Sequence, residues 1–150
     1  MKRIWIIVTG EPLVSLKDAN IDREMRSNRL ARELSNRGHD VTLITSSFQH
    51  HDKVQYSSHS QVVRSKDDQF DVVLIRSPGY KRNVSFERFW DHVVLSIKTS
   101  LFIKKLRRPD LIYISWPPVD LAYSVSNFAK RNKIPYIIDV RDVWPDTIYE

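Results

Sequence analysis

Cysteine is absent from the 150 residues, and glycine occurs only three times. The first absence excludes zinc ribbons, thiol catalysis and any disulfide framework, and it accords with a reducing cytoplasm. The second weighs against a dinucleotide site, which needs several glycines where a strand enters a helix so that backbone amides can approach a pyrophosphate. Gly10 follows the first apolar run alone, with residues 11–20 between it and the next helical pattern. No Walker pattern exists either. A Rossmann dehydrogenase and a P-loop nucleotidase are thus both disfavoured, and the long first loop suits a bulkier ligand. Long hydrophobic runs are missing as well: the longest near the start is residues 4–8, against the roughly 20 that a membrane span requires. Metal binding is not expected, because the side chains of the adjacent His50 and His51 diverge and no further ligand lies at a suitable spacing. No serine sits between glycines in a nucleophile elbow, which argues against hydrolase chemistry.

What is present describes one soluble globular domain, with 41% hydrophobic and 28% charged residues and enough length for a core without staples. The net charge of +6 is localised. Residues 81–108 hold eight basic side chains against Glu87 and Asp91, which accounts for the whole excess, and the segment is rich in Phe and Trp. Such a segment favours an anionic surface.

Residues 3–9 are β-branched and aromatic with no polar alternation, as in a strand buried on both faces. Similar runs at 40–45, 71–76, 110–115 and 135–140 give five strands. Helical spacing connects them. Over 22–37, Met25, Leu30, Ala31 and Leu34 trace one side, and Gly38 is placed to end the helix in the left-handed region. Over 119–132, Leu121, Ala122, Val125, Phe128 and Ala129 repeat the pattern, with Asp120 at the start and Lys130 and Arg131 at the end. Residues 48–69 read as a long polar loop with a short edge strand at 61–64. Alternating strands and helices predict an α/β fold, an open, doubly wound, mainly parallel sheet with helices on both faces.

In such a sheet ligands gather at the carboxyl ends of the strands. Those ends supply Gly10 and Glu11, Ser46-Ser47-Phe48, Ser77 to Gly79, Trp116 to Pro118, and the run Arg141-Asp142-Val143-Trp144-Pro145. Gly10, Glu11, Ser46, His50, Trp116 and Pro117 are the substrate-binding candidates. Arg141 and Asp142 could clamp hydroxyls or a phosphate, or form a local ion pair with Trp144 as a core plug.

The segment from Arg26 to Leu34, then Arg37-Gly38-His39-Asp40-Val41-Thr42, Ser46-Ser47-Phe48-Gln49-His50, Pro109-Asp110, Trp116-Pro117-Pro118 and the Arg141 run together resemble a known domain. It is the amino-terminal domain of bacterial glycosyltransferase family 4 enzymes of capsule and O-antigen (lipopolysaccharide) assembly, amino-sugar transferases among them. The resemblance implies half of a GT-B architecture, in which a first Rossmann-like domain binds acceptor and a second binds the nucleotide-sugar. It implies that residues 1–150 form the first domain short of its last strand and helix, that the donor domain lies outside them, and that this stretch alone is inactive. Arg141 and Asp142 then fall at catalytic positions facing the reacting sugar, and Trp116 on the acceptor side. The implied reaction is retaining hexosyl or amino-sugar transfer without metal or other cofactor, to a lipid-diphosphate-linked sugar at the inner face of the bacterial cytoplasmic membrane.

A helix is expected over 85–107, with Phe86, Trp90, Val93, Val94, Ile97 and Leu101 packing on the sheet. A second apolar group, Leu95, Phe102, Ile103 and Leu106, would then face outward beside Lys98, Lys105, Arg107 and Arg108 and suit an anionic leaflet, or be covered by another part of the protein. The competing function is a basic nucleic-acid-binding module, supported by the pI of about 9.7 but by no known motif. No nucleic-acid partner is expected on the leading reading.

Overall fold

The computed structural model describes residues 1–12, 25–50, 52–64 and 70–141. The expectations for His51, Asp142, Trp144 and the helix start at 22–24 lie outside them. The elements run β1 (Arg3–Ile7), α1 (Arg26–Asn36), β2 (Asp40–Ser46), β3 (Phe48–Gln49), β4 (Val54–Gln55), β5 (Gln61–Arg64), β6 (Asp71–Ile75), α2 (Phe86–Ile103), β7 (Leu111–Trp116), α3 (Val119–Arg131) and β8 (Tyr136–Val140). Six strands form one sheet in the order β5-β6-β2-β1-β7-β8, parallel except where β5 meets β6. The doubly wound expectation is borne out. Strand order reverses between β1 and β7, and that switch point leaves a crevice at the strands' carboxyl ends.

The continuous apolar character of β1 follows from its two covered faces. Ile4, Ile6 and Val8 point to one side with Val41, Leu43, Val72 and Leu74, under Leu30, Ala31 and Leu34 of α1. Trp5 and Ile7 point to the other, with Ile44, Val73, Ile112 and Ile114, under α2 and α3. There Phe128 stacks on Trp5 with ring centroids 6.1 Å apart. Gly38, at φ +80, closes α1 as expected: its N–H reaches Ser35 O at 2.8 Å and the His39 N–H reaches Leu34 O at 3.2 Å. Where a loop was expected over 48–69, the chain makes the β3–β4 hairpin before edge strand β5. Among the described residues no helix is long and apolar enough to cross a membrane.

The helix α2 corrects the sequence-based orientation. Its inward face is Asp91, Leu95, Ser96, Thr99 and Ile103, so Leu95, expected on the surface, is 1% exposed. Phe102 and Leu106 are half-buried against the same core and not solvent-facing. Most of the expected inward stripe is instead on the outer side, with Phe86 78%, Trp90 53%, Ile97 55% and Leu101 55% exposed and Val93 and Val94 half-buried. The reason is contact with α3. Ser96 Oγ donates to Asp120 O at 3.0 Å and pairs with Ser124 Oγ at 2.8 Å, and small side chains there let the two helices approach closely. Lys105, Arg107 and Arg108 are exposed as expected.

Candidate functional site

A cavity of about 250 Å³ opens at the carboxyl ends of the central strands. Gly10, Glu11, Ser46, His50, Pro117 and Arg141 all line it, six candidates drawn from loops far apart in sequence. Trp116 does not: it is partly buried and packs on the core beneath α2 and α3. The Trp116–Pro117 and Pro117–Pro118 peptides are both cis.

One wall is an ion-pair network. Arg141, just past β8, bonds Glu11 Oε1 through Nη1, Asp139 Oδ2 through Nε at 3.1 Å and Ser27 Oγ through Nη2 at 2.6 Å. Burial opposes its charge, but the hydrogen bonds and charges of Glu11 and Asp139 hold the guanidinium protonated above its ordinary value. Glu11 in turn accepts the Ser27 N–H at 3.1 Å, placing a carboxylate at the positive end of α1. Asp139 also pairs with Arg26 at 3.0 Å. Burial works against its ionisation, but hydrogen bonds from Tyr113 and Arg141 and the charges of Arg26 and Arg141 prevail and lower its pKa. Arg141 thus pairs with a carboxylate of its own strand and with one distant in sequence, and it also lines the cavity; the reading as a local pair with Asp142 beside Trp144 lies outside the described residues.

The opposite wall comes from the hairpin, the loop after β6 and α2. Ser46 Oγ accepts the Phe48 N–H at 3.0 Å and pairs with Ser77 Oγ at 3.2 Å, while Gln55 Nε2 donates to Ser77 O at 2.8 Å. These bonds pin the hairpin to the sheet. Gly79 sits against it at φ +79, where an added Cβ would lie 2.7 Å from the Phe48 ring, and its N–H donates to the buried Asp91 Oδ1 at 2.6 Å. Next along the chain, Tyr80 packs on Phe48 with centroids 4.9 Å apart and bonds His50 Nδ1 through its hydroxyl. Burial raises the Tyr80 pKa, against the lowering effect of Arg88 and with a smaller raising effect from Asp91. Burial lowers that of His92, helped by Arg88 and opposed by Asp120 and Asp91.

Tyr80, Arg88, Asp91, His92 and Pro118 line the cavity without having been singled out from the sequence as site residues. A signal for three of them was present. Arg88 and His92 stand four apart on α2, hence on one helical face, with Asp91 beside them. Ordering the helix by hydrophobicity placed that face outward.

A family model described as a glycosyl transferase 4-like domain matches residues 24–148. No curated protein matches the chain. Among solved structures, the C-terminal domain of a hydrogenase from Pyrococcus furiosus is similar with a TM-score of 0.57 at 16% identity, over 92% of this chain and 91% of that one. At that identity the likeness is one of fold alone. The family match takes in α1 through β8 and with them most of the cavity walls, so the chain belongs to the glycosyl transferase 4-like domain family and is a glycosyltransferase-type α/β domain.

Proposed function

We propose that the chain is the amino-terminal, acceptor-side half of a retaining GT-B glycosyltransferase. The enzyme moves a hexose or amino sugar from a nucleotide-sugar to a lipid-diphosphate-linked acceptor in bacterial capsule or O-antigen synthesis. The observation that carries this reading is the cavity at the strand switch point, with Arg141 on one wall and Arg88 and His92 on the other. Among the described residues Arg141 makes three hydrogen bonds, one through each guanidinium nitrogen, and a guanidinium has five N–H donors with which to meet a sugar hydroxyl or phosphate oxygen as well. Asp142, adjacent in sequence, is its proposed catalytic companion. The nucleotide-sugar is held by a second domain, and the leaving diphosphate is stabilised by fixed donors with no metal or other cofactor. The test is sugar transfer by a polypeptide that includes the donor domain. It should retain anomeric configuration, fall in Arg141→Ala and Asp142→Ala, and be undetectable with residues 1–150 alone. Turnover by residues 1–150 would refute the two-domain assignment.

The peripheral position at the inner face of the membrane rests on α2. At 100° per residue, Phe86, Phe89, Trp90, Val93, Ile97 and Leu101 fall within a 120° sector, as about the width of an amphipathic stripe requires, and most of them are more than half exposed. Lys81, Arg82, Lys98, Lys104 and Lys105 are exposed around this helix, within the segment that holds the whole net charge. Apolar side chains among cations suit an anionic leaflet. The charge would repel a second copy, and alternation with large apolar groups favours lipid over nucleic acid. Vesicles containing phosphatidylglycerol should bind the chain in a salt-sensitive way, and a Phe86→Ser, Trp90→Ser variant should not bind. Binding to oligonucleotide but not to vesicles would reverse this.

A further inference from the structure

Basic groups converge on Tyr80 at the α2 side of the cavity. Lys53 Nζ stands 4.4 Å from the Tyr80 ring centroid and 3.4 Å from His50 Nδ1. The Arg88 guanidinium carbon lies 5.8 Å from the same centroid, and the His92 ring meets Tyr80 edge-on at 6.3 Å. Among the described residues the ion pairs lie elsewhere, and the polar partner of both Lys53 and Arg88 is a neutral one, Asn83: Lys53 Nζ donates to its side chain and Arg88 Nη1 to its carbonyl at 2.8 Å. Of the two acids beside Arg88 on α2, Asp91 is buried and engaged by the Gly79 N–H, and the exposed Glu87 accepts the Lys81 N–H at 3.4 Å. Lys53 and Arg88 carry permanent charge beside the same Tyr80 ring, and an anion bound there would be attracted by both.

Two further observations point the same way. Lys53 has φ +55, a conformation that favours glycine or asparagine, yet a lysine occupies the turn and reaches the aromatic ring. And on the first turn of α2, Arg88 lines the cavity while Phe86 and Phe89 on either side of it face solvent. A phosphate group attached to a lipid lying against those rings would reach Arg88 within one helical turn.

We propose that Lys53, His50, Arg88 and His92, with Tyr80 as platform, form a phosphate subsite at the mouth of the cavity that takes the diphosphate of the acceptor. This rests on the acceptor-side reading above. Arg88 and Lys53 supply permanent charge. His92 faces Arg88 and Asp91 from its own helix, Asp120 from α3 and Tyr80 from the loop after β6, and a bound anion would favour its protonated form. Binding should therefore raise the His92 pKa relative to the unbound chain, read from its ring signals as a function of pH.

The test is titration of the chain with inorganic pyrophosphate, followed by NMR of the histidine ring signals. Saturable shifts at His50 and His92 are expected, with affinity about tenfold weaker in Arg88→Gln, a loss typical of one charge-assisted contact. Lys53→Gly relieves the positive φ, so it should fold at least as well by thermal melt and still bind less tightly. Absence of saturation, or unchanged affinity in the Arg88→Gln, Lys53→Gly double variant, would overturn the subsite. A short-chain isoprenyl diphosphate and a nucleoside diphosphate separate the two sources of the group. Equal or tighter binding of the isoprenyl compound, weakened by the same variants, supports the acceptor assignment; binding of the nucleoside compound alone through these residues overturns it. Because these are binding measurements, a longer polypeptide that transfers no sugar would sink the proposed function while leaving a positive titration to stand for the subsite.

Discussion

Arg141 joins the first and last parallel strands through side chains alone. Replacing it with alanine leaves the Glu11 and Asp139 carboxylates, 8% and 11% exposed, short of a partner. Glu11 keeps the Ser27 N–H and Asp139 keeps Arg26, so the expected loss is about 2 kcal/mol, below that of a fully buried broken pair. Urea denaturation of Arg141→Ala measures it, and a loss under half that size would mean the network is slack. Transfer activity must then be compared at a temperature where the variant is still folded. Gly79→Ala is the second residue-scale expectation. The alanine would be strained at φ +79 and its methyl would meet the Phe48 ring, so a loss of about 1 to 3 kcal/mol and displacement of Phe48 should follow, by melting and by the Phe48 ring signals.

At the scale of the element, α2 shows why periodicity alone misplaced a helix. Both of its faces carry apolar residues, and the larger ones sit outside. What turns the helix is its contact with α3 through Ser96 and its core anchors Leu95 and Ile103, features of the partner surface that an isolated helical wheel does not contain. The two faces should respond oppositely to substitution. Leu95→Ala empties a core position and should cost about 2 to 5 kcal/mol. The Phe86→Ser, Trp90→Ser pair should shift stability by no more than about 0.5 kcal/mol per site while abolishing vesicle binding. Equal destabilisation by both would place the stripe inside the fold and contradict the exposure seen here.

For the molecule as a whole, His92 and Asp139 are two of the described groups that contribute to the response to acid, beside Asp110, which the Arg3 N–H holds below its ordinary value. His92 has its pKa lowered from the ordinary 6.5, so the unfolded chain takes up that proton first and stability declines as pH falls from about 6.5 through the folded value. Asp139 is lowered from 3.8, so its contribution is complete above that pH and is lost as pH drops further. Thermal melts should show an initial decline below about pH 6.5 that His92→Phe reduces. A second decline, below about pH 3.8, should be smaller in Asp139→Asn. An unchanged first phase in His92→Phe would assign it to another histidine.

The sequence by itself determined the alternation of buried strands with amphipathic helices, since a strand covered on both faces is mostly apolar on both and the Val-Ile-Leu runs meet that condition at β1, β2, β6 and β7. It also determined the Gly38 helix stop, the edge strand at 61–64 and the strand ends where six candidates meet. These are local consequences of side-chain shape, backbone freedom and parallel pairing. Tertiary structure alone decided which way α2 faces and therefore that Arg88, Asp91 and His92 look into the cavity while Phe86 and Trp90 look out. It also decided that Glu11 caps α1 and binds Arg141 across 130 residues of chain. Both depend on surfaces brought together by the sheet, and no spacing within one segment encodes what the segment packed against it will offer.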